Sequence, residues 1–176
     1  MKKGGFIMVT KSLNGYIKIY QEQLLQGDIQ IAYENLLKYM IRLKGDFSRV
    51  FSEEYVFGNV SPGYMDFTYF PFYNEFLRSK KLRFGIVLNH KKMYFELWLM
   101  GQNEQVQLEY WRLLKETNWN ENKNRPQYSV LEAVLVTSPN FDDLAAPSVE
   151  IKQEAEKAAK EVLNYLLEID KNKVRR

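Results

Sequence analysis

The chain contains no cysteine and a single histidine among its 176 residues. Without cysteine there is no disulfide, no thiolate ligand for a metal and no thiol nucleophile. The one histidine, His90, leaves zinc without its usual set of ligands and gives a Ser-His-Asp triad only one candidate base. The sequence also has no G-x-S-x-G elbow, phosphate-binding loop, dinucleotide fingerprint or HExxH motif. We therefore assign no catalytic residue, expect no cofactor, and interpret His90 as a turn residue.

Long hydrophobic stretches are also missing. No apolar run approaches the roughly 20 residues that a membrane-spanning helix needs. The first ten residues, MKKGGFIMVT, have two lysines but no apolar segment long enough for a secretory signal. We expect a cytoplasmic protein without a membrane partner.

The formal net charge of +3 comes from the two ends of the chain. Six basic residues lie there: Lys2, Lys3, Lys171, Lys173, Arg175 and Arg176. Without them the chain has 19 basic and 22 acidic side chains, whereas a surface that binds phosphates should be basic on the folded body. We expect no nucleic-acid partner. The length predicts one domain over 12–170, between a flexible N-terminal extension (1–11) and a basic C-terminal tail (171–176).

Two stretches that alternate between apolar and other residues predict a central β-hairpin over 82–100. An even-length loop over 89–92 would pair Leu88 with Met93 and Phe84 with Leu97. One face of this hairpin is then wholly apolar, so helices must cover it.

The opposite face of the hairpin suggests a site. The expected register gives three facing pairs: Arg83 with Trp98, Gly85 with Glu96, and Val87 with Tyr94. A guanidinium over an indole is a favourable cation–π pair. Glycine inside a strand often marks close approach by another group. Gly85 would thus leave a gap beside the Glu96 carboxylate, although such charge–aromatic clusters are also common as purely structural features.

Helical and strand patterns along the rest of the chain predict an α+β fold. We expect a mostly antiparallel sheet of four or five strands, packed by helices that include an N-terminal helical hairpin and a long C-terminal helix. The predicted helices lie at 12–26, at 28–45 with Gly45 closing it, at 73–80, at 103–116 and from Ser148 onward. The further strands lie at 55–60, at 64–70 with Pro71 ending it, and at 129–136.

Three acidic residues, Asp66, Glu96 and Glu132, fall within predicted strands. If those strands are neighbours, two or three carboxylates could bind Mg²⁺ or Mn²⁺. A nuclease-like Glu-x-Lys is absent, because Glu96 is followed by Leu97 and Trp98. A glycosidase-type acid pair is equally open.

Two segments resemble an uncharacterised bacterial family of unknown function. The first reads G-Y-M-D-x-T-Y-F over 63–70, and the second I-V-x-x-H-x-x-x-x-F-E-x-W-L-x-G over 86–101. A helix with Tyr110 and Trp111 follows them. The resemblance extends over most of the chain and implies a single-domain protein of about this size. It implies no activity, cofactor or partner.

These observations favour a non-enzymatic binding module for a small polar or cationic ligand on the aromatic and acidic face of the sheet. The candidate ligand-binding residues are Tyr64, Asp66, Arg83, Gly85, Tyr94, Glu96 and Trp98. One alternative is a divalent-metal-dependent hydrolase that uses Asp66 and Glu96. Another is a protein-interaction or oligomerisation domain with exposed Tyr94, Trp98 and Trp119, including a possible homodimer.

Overall fold

The computed structural model describes residues 11–121 and 124–174, and it divides into two compact units at residue 36. The predicted N-terminal extension falls outside the described residues except for Lys11. Each unit is described by itself below.

The first unit contains helix α1 (Leu13–Gln26) and the beginning of helix α2 (Asp28–Phe51). The Ser12 hydroxyl accepts a hydrogen bond from the Gly15 N–H and so caps α1. Gly27 ends the helix in the left-handed conformation (φ 83°), which glycine adopts without steric cost. The start and end of α1 agree with the prediction. None of its side chains is buried.

The second unit contains the whole sheet and the other helices. Its strands are β1 (Val56–Phe57), β2 (Phe67–Tyr73), β3 (Leu82–Asn89), β4 (Tyr94–Gly101) and β5 (Leu131–Val136). Its further helices are α3 (Glu75–Ser79), α4 (Glu104–Leu114) and α5 (Ala145–Val174). The strands pair antiparallel in the order β1-β2-β3-β4-β5. This confirms the α+β fold with a central hairpin, an N-terminal helical hairpin and a long C-terminal helix.

The register of the β3–β4 hairpin differs from the predicted one by two residues. Leu88 pairs with Phe95 rather than Met93, and the turn contains 90–93. The Asn89 side chain fixes this turn, because its Oδ1 accepts from the Lys92 N–H while its carbonyl accepts from the Met93 N–H. Met93 adopts the left-handed conformation at φ 53°. A shift of two residues leaves each side chain on its predicted face but changes every facing pair.

Strand β2 also differs from the prediction, since it begins at Phe67 and continues through Pro71 to Tyr73. The Pro71 carbonyl accepts from the Gly58 N–H at 2.8 Å, so this side of the residue faces the β1 side of β2. The nitrogen of Pro71, which has no hydrogen, points to the same side, beyond the end of β1 at Phe57. The proline therefore removes no hydrogen bond between β2 and β3.

The core lies between one face of the sheet, here called the core face, and helices α2 and α5. The buried residues Tyr39 and Phe47 of α2 contact Phe95 and Phe70, with ring centroids 5.8 and 5.5 Å apart. Helix α5 buries a stripe made of Ile151, Ala155, Ala159, Val162 and Leu166. Phe84 and Leu97 are fully buried on the core face, as predicted.

Three helix boundaries differ from the predictions by three residues or more. Gly45 does not end α2, which continues to Phe51 and thereby buries Phe47. Ser148 lies in the first turn of α5 and is not its cap, since its hydroxyl bonds to the Leu144 carbonyl and the Tyr39 hydroxyl. The backbone of α5 continues through 171–174 of the predicted tail. No helix in the described part of the chain is long and apolar enough to cross a membrane.

Candidate functional site

An open groove of about 350 Å³ lies on the second face of the sheet, opposite the core face. Strands β2, β3 and β4 and the segment before β2 supply its walls. The lining residues are Gly63, Tyr64, Asp66, Phe67, Tyr69, Arg83, Trp98, Met100 and Tyr128. We call this feature the sheet groove.

The base of the sheet groove is apolar and aromatic. Val87, Trp98 and Met100 are buried together on the second face, and the partly buried Phe67 and Tyr69 pack against them. The Phe67 and Trp98 rings lie 4.8 Å apart in an edge-to-face arrangement. Edge-to-face packing of this kind fixes ring positions, so the groove has a preformed aromatic surface.

A tight turn places Asp66 at one end of the sheet groove. Gly63 has φ 66°, and a Cβ at that position would lie 2.1 Å from the Phe67 carbonyl oxygen, so only glycine fits. The Asp66 Oδ1 accepts hydrogen bonds from the Tyr64 N–H (2.9 Å) and the Phe67 N–H (2.7 Å). These two bonds lower the pKa of the exposed Asp66 carboxyl. The end of the groove therefore has a fixed negative charge beside Tyr64, whose side chain is 96% exposed.

Arg83 lies at the other end of the groove. In the antiparallel register, Phe67 pairs with Asn89 and Phe72 pairs with Phe84. Asp66 precedes Phe67 and Arg83 precedes Phe84, so these two residues lie at opposite ends of the paired strands β2 and β3. Arg83 faces Met100 on β4 and not Trp98, so the predicted cation–π pair is wrong. Its Nε atom is buried without a hydrogen-bond partner. The groove thus carries charges of opposite sign at its two ends.

The predicted gap at Gly85 is already occupied. Gly85 pairs with Trp98, whereas Glu96 pairs with Val87. A Cβ built on Gly85 would lie 2.5 Å from the terminal carbon of the Met100 side chain. Glycine at this position therefore makes room for Met100, and the hypothesis of an empty gap beside Glu96 is wrong.

Glu96 lies beneath the groove wall and is only 2% exposed. Its Oε2 accepts hydrogen bonds from the Trp98 indole N–H (3.1 Å) and from the Asn89 side-chain amide (3.4 Å). Burial raises the pKa of the Glu96 carboxyl, and the nearby Glu132 charge raises it further. Glu96 thus fixes the orientation of the Trp98 ring and does not itself line the groove.

Tyr94 lies apart from the groove, near the hairpin turn. Its hydroxyl bonds to the Lys92 ammonium group, which also lies 5.0 Å from the centre of the Tyr94 ring. The cation–aromatic pair of this hairpin is therefore Lys92 with Tyr94.

Four of the seven predicted site residues line the sheet groove: Tyr64, Asp66, Arg83 and Trp98. Gly85, Tyr94 and Glu96 do not line it. Phe67 and Tyr69 were not predicted as groove residues. The strand was expected to begin at residue 64, three residues before its actual start at Phe67, and this placed Asp66 inside the strand. The turn chemistry in S-P-G-Y-M-D, with proline, glycine and aspartate in sequence, was the signal that could have revealed this.

His90 has more hydrogen bonds than its prediction as a simple turn residue implied. Its Nε2 lies 2.8 Å from the Oγ1 of buried Thr68, and that hydroxyl also donates to the Pro62 carbonyl. The single hydroxyl proton is therefore committed to Pro62, so Nε2 must carry a proton and donate it to Thr68. Burial lowers the pKa of the His90 imidazole, which favours its neutral form. This chain of bonds joins the hairpin turn to the segment before β2.

The three acidic residues considered for a metal site are arranged differently from the prediction. Asp66 precedes β2 and is separated from Glu96 on β4 by strand β3. Glu132 on β5 pairs with Trp98, and its carboxylate accepts a hydrogen bond from the Ser129 hydroxyl. Across residues 11–121 and 124–174 there is no group of three or more His, Cys, Asp or Glu side chains with metal-binding geometry.

A family model described as a domain of unknown function, DUF7000, matches residues 13–166. The match includes α1, the complete sheet and most of α5, and it contains every residue of the sheet groove. Comparison with curated proteins and with solved structures finds no match for the chain.

Proposed function

Because the chain belongs to the DUF7000 family, whose function is unassigned, we propose a function from the sheet groove itself. The groove is a binding site for a small ligand that carries a cationic group, such as an ammonium or guanidinium. The protein in this proposal is a non-enzymatic binding module.

The observation that carries this proposal is the position of an ionised Asp66 beside exposed Tyr64 at an aromatic groove. A cation gains attraction from the faces of aromatic rings as well as from a carboxylate. The Asp66 carboxylate is held by two backbone N–H groups, so its position does not depend on the ligand. At the other end, Arg83 favours a ligand whose cationic group is followed by an acceptor or an anionic group.

Glu96 supports the site as a positioning residue in this proposal. Its hydrogen bond to the indole N–H orients Trp98, which lines the groove. This assignment differs from the sequence-based hypothesis, in which Glu96 itself contacted the ligand.

The hydrolase alternative has less support from the geometry. Asp66 and Glu96 would have to share an ion, but each already accepts two hydrogen bonds on one oxygen and β3 separates their strands. Divalent ions prefer six or more oxygen ligands drawn together around one point. Asp66 and Glu96 alone supply few of these.

Calorimetric titration of the full chain with tetramethylammonium and with L-arginine amide tests the groove proposal. We expect saturable binding of at least one of these probes, and we expect Asp66→Asn to weaken it at least tenfold. Asparagine retains the oxygen that accepts from Tyr64 and Phe67, so the turn should persist. Tyr64→Ala should also weaken binding without lowering the melting temperature, because the Tyr64 side chain is exposed.

Asp142→Asn is the matched control, because it removes one negative charge from another exposed position. Equal affinity in the parent, Asp66→Asn and Asp142→Asn would show that the groove is not the binding site. Lack of saturable binding to either cation would remove the support for a cationic ligand.

We also propose that the protein self-associates through α1. This is the oligomerisation alternative expected from the sequence, but the contact surface is α1 and not the exposed aromatics named there. Trp98 is buried and Trp119 packs against Tyr165, so neither is a freely exposed aromatic. By contrast, α1 exposes an apolar stripe made of Leu13, Tyr16, Ile17 and Tyr20. A stripe of this kind on two copies can pair around a twofold axis.

Light scattering coupled to size-exclusion chromatography tests this second proposal. A dimer mass for the parent and a monomer mass for Ile17→Glu would support it. A monomeric parent at concentrations up to about 100 µM, where even weak dimers should form, would contradict it.

A further inference from the structure

Arg83 lines a second cavity in addition to the sheet groove, and this cavity is basic rather than aromatic and acidic. It encloses about 270 Å³ where the end of β2, the end of α3, the start of β3 and the end of β4 meet. Its lining consists of Tyr73, Arg78, Lys81, Leu82, Arg83 and Gln102. Three of these side chains are cationic and none is acidic. We call this cavity the basic pocket.

The three cations of the basic pocket are not neutralised by the described residues of the protein. Arg78, Lys81 and Arg83 form no ion pair and no side-chain hydrogen bond within the described ranges. The neighbouring Lys80 differs, since it pairs with Asp170 of α5. The available carboxylate on α5 is thus already used, and the pocket retains a net positive charge.

Arg83 gives the clearest sign of a missing partner. Its Nε atom is buried and has no acceptor. A buried guanidinium N–H without an acceptor is unfavourable, because it has lost its hydration and gained no hydrogen bond. An anion in the basic pocket would supply acceptors to the Arg83 guanidinium, which fits oxyanions in a forked geometry.

Lys81 follows the C-cap residue of α3 in the left-handed conformation with which helices commonly end. Its φ is 56°, in the left-handed region that favours glycine and asparagine. The Lys81 N–H donates to the Arg78 carbonyl (3.0 Å), and the Lys81 carbonyl accepts from the Gln102 N–H (2.9 Å). These two bonds hold Arg78, Lys81 and Gln102 next to one another before any ligand binds, and the side chains of all three line the pocket.

Helix capping accounts for the backbone of Lys81 but not for the three cations that meet at the pocket. Basic residues near a helix C-terminus are stabilised by the helix dipole, and this applies to Arg78 in the last turn of α3. Helix α3, however, has five residues, and Arg83 belongs to β3. The convergence of a helix residue, a turn residue and a strand residue on one cavity therefore needs another explanation.

We propose that the basic pocket binds a small multivalent oxyanion, with a phosphate or a carboxylate as the recognised group. Arg78, Lys81 and Arg83 supply the positive charge, and Gln102 and Tyr73 supply neutral hydrogen-bonding groups. The volume of about 270 Å³ lies just below the range of about 300–1,000 Å³ that is typical of small-molecule sites, so the ligand is compact. The proposal does not depend on the sheet groove, although Arg83 lines both cavities.

The test measures the melting temperature of the full chain during titration with inorganic pyrophosphate, with citrate and with sodium chloride at matched ionic strength. We expect a saturable rise with pyrophosphate or citrate that chloride does not reproduce. Saturation with pyrophosphate assigns the phosphate class and saturation with citrate the carboxylate class. Both results support the pocket, and a response no larger than that to chloride overturns it.

Two variants connect the binding to the basic pocket. Arg78→Gln should raise the concentration needed for half-saturation at least tenfold. Lys81→Asn should do the same while leaving the ligand-free protein at least as stable, because asparagine tolerates the left-handed conformation. Lys91→Gln is the matched control, as it removes one exposed cation in the hairpin turn, and it should bind as the parent does.

Unchanged half-saturation in Arg78→Gln and Lys81→Asn would overturn the basic pocket even if the protein bound the anion. The outcomes for the two cavities remain distinguishable. Asp66 and Tyr64 line only the sheet groove, whereas Arg78 and Lys81 line only the basic pocket.

Discussion

The indole N–H of Trp98 donates a hydrogen bond to the buried carboxylate of Glu96, two residues earlier on the same face of β4. The donor and acceptor are 3.1 Å apart, and Trp98 is only 4% exposed. A side chain that lines the sheet groove is therefore oriented by an acid that lies beneath it. The ionisation of Glu96 is coupled to the stability of the fold.

Replacement of Glu96 by glutamine should leave the protein at least as stable at neutral pH, because glutamine cannot ionise. The pKa of Glu96 is raised in the folded protein, so the folded state binds this proton more tightly than the unfolded chain does. The stabilisation from Glu96 is full below its ordinary pKa and is lost as pH rises through the raised pKa. Glu96→Gln keeps an acceptor for Trp98 and removes this loss. We expect a variant at least as stable as the parent at pH 7, with the difference shrinking as pH falls from the raised pKa toward the ordinary carboxyl pKa.

Urea denaturation at several pH values between 4 and 8 measures this effect, with exposed Glu121→Gln as the control for charge alone. A Glu96→Gln variant that is less stable than the parent at pH 7 would contradict the prediction. Such a result would mean that the ionised carboxylate contributes net stability. No ion pair between Arg83 and Glu96 is present to cause it.

Replacement of Phe95 by alanine should lower the free energy of unfolding by about 3–5 kcal/mol, as for other large-to-small changes of a buried phenylalanine. Phe95 is fully buried on the core face and contacts Tyr39 and Phe141, with ring centroids 5.8 and 6.4 Å apart. The midpoint of chemical denaturation reports the change. Val134→Ala on β5, whose side chain is half-exposed, should cost less than about 1 kcal/mol. Similar midpoints for Phe95→Ala and the parent would contradict the burial of this ring.

Replacement of Gly85 by alanine should change the free energy of unfolding by less than about 1 kcal/mol. Alanine is favoured over glycine inside a strand by roughly 0.5–1 kcal/mol. The new methyl group must displace the end of the flexible Met100 side chain, which offsets that gain. The displaced methionine should narrow the sheet groove and weaken cation binding there.

A double-mutant cycle with Met100→Ala isolates the contact between the two positions. In the Met100→Ala background, Gly85→Ala should become stabilising, because nothing has to move. If Gly85→Ala has the same effect in both backgrounds, Met100 does not occupy the space beside Gly85.

Millimolar Mg²⁺, Mn²⁺ or Ca²⁺ should leave the melting temperature unchanged. An ion bound only to the folded state would raise it, by an amount that grows with the logarithm of the ion concentration relative to its Kd. The prediction rests on the separation of Asp66 from Glu96 by β3. A rise with Mn²⁺ that is lost in Asp66→Asn would instead support the metal-dependent hydrolase.

Much of the fold followed from periodicity and capping chemistry. The alternation in β3 and β4 identified both strands and the buried face, and Gly27 gave the end of α1. The register did not follow, because a shift of two residues preserves the alternation. It was decided by the Asn89 side chain, which caps the turn, and by the left-handed conformation of Met93. Hydrogen bonds of this kind depend on geometry that a pattern of residue types does not encode.

The site was predicted only in part, for a similar reason. Asp66 and Trp98 were identified from their residue types, but Gly85 was interpreted as an empty space when Met100 occupies it. The side chain that fills a glycine gap can come from the adjacent strand, and only the register determines which residue that is. The basic pocket was not foreseen, since Arg78, Lys81 and Gln102 meet only after α3 and the hairpin have folded.

Pro71 has a consequence for how the sheet meets other chains. Unpaired N–H and C=O groups along the edge of a sheet are a template for adding a foreign strand and so for aggregation. On the β1 side of the sheet, Pro71 has no N–H to offer, and its carbonyl already accepts from Gly58. Ser61 and Tyr69 exchange two further backbone bonds on the same side, and β1 itself has two residues. The edge strand on this side is the two-residue β1, and the groups of β2 behind it are paired or, at Pro71, lack a donor, so a foreign strand finds only a short template here.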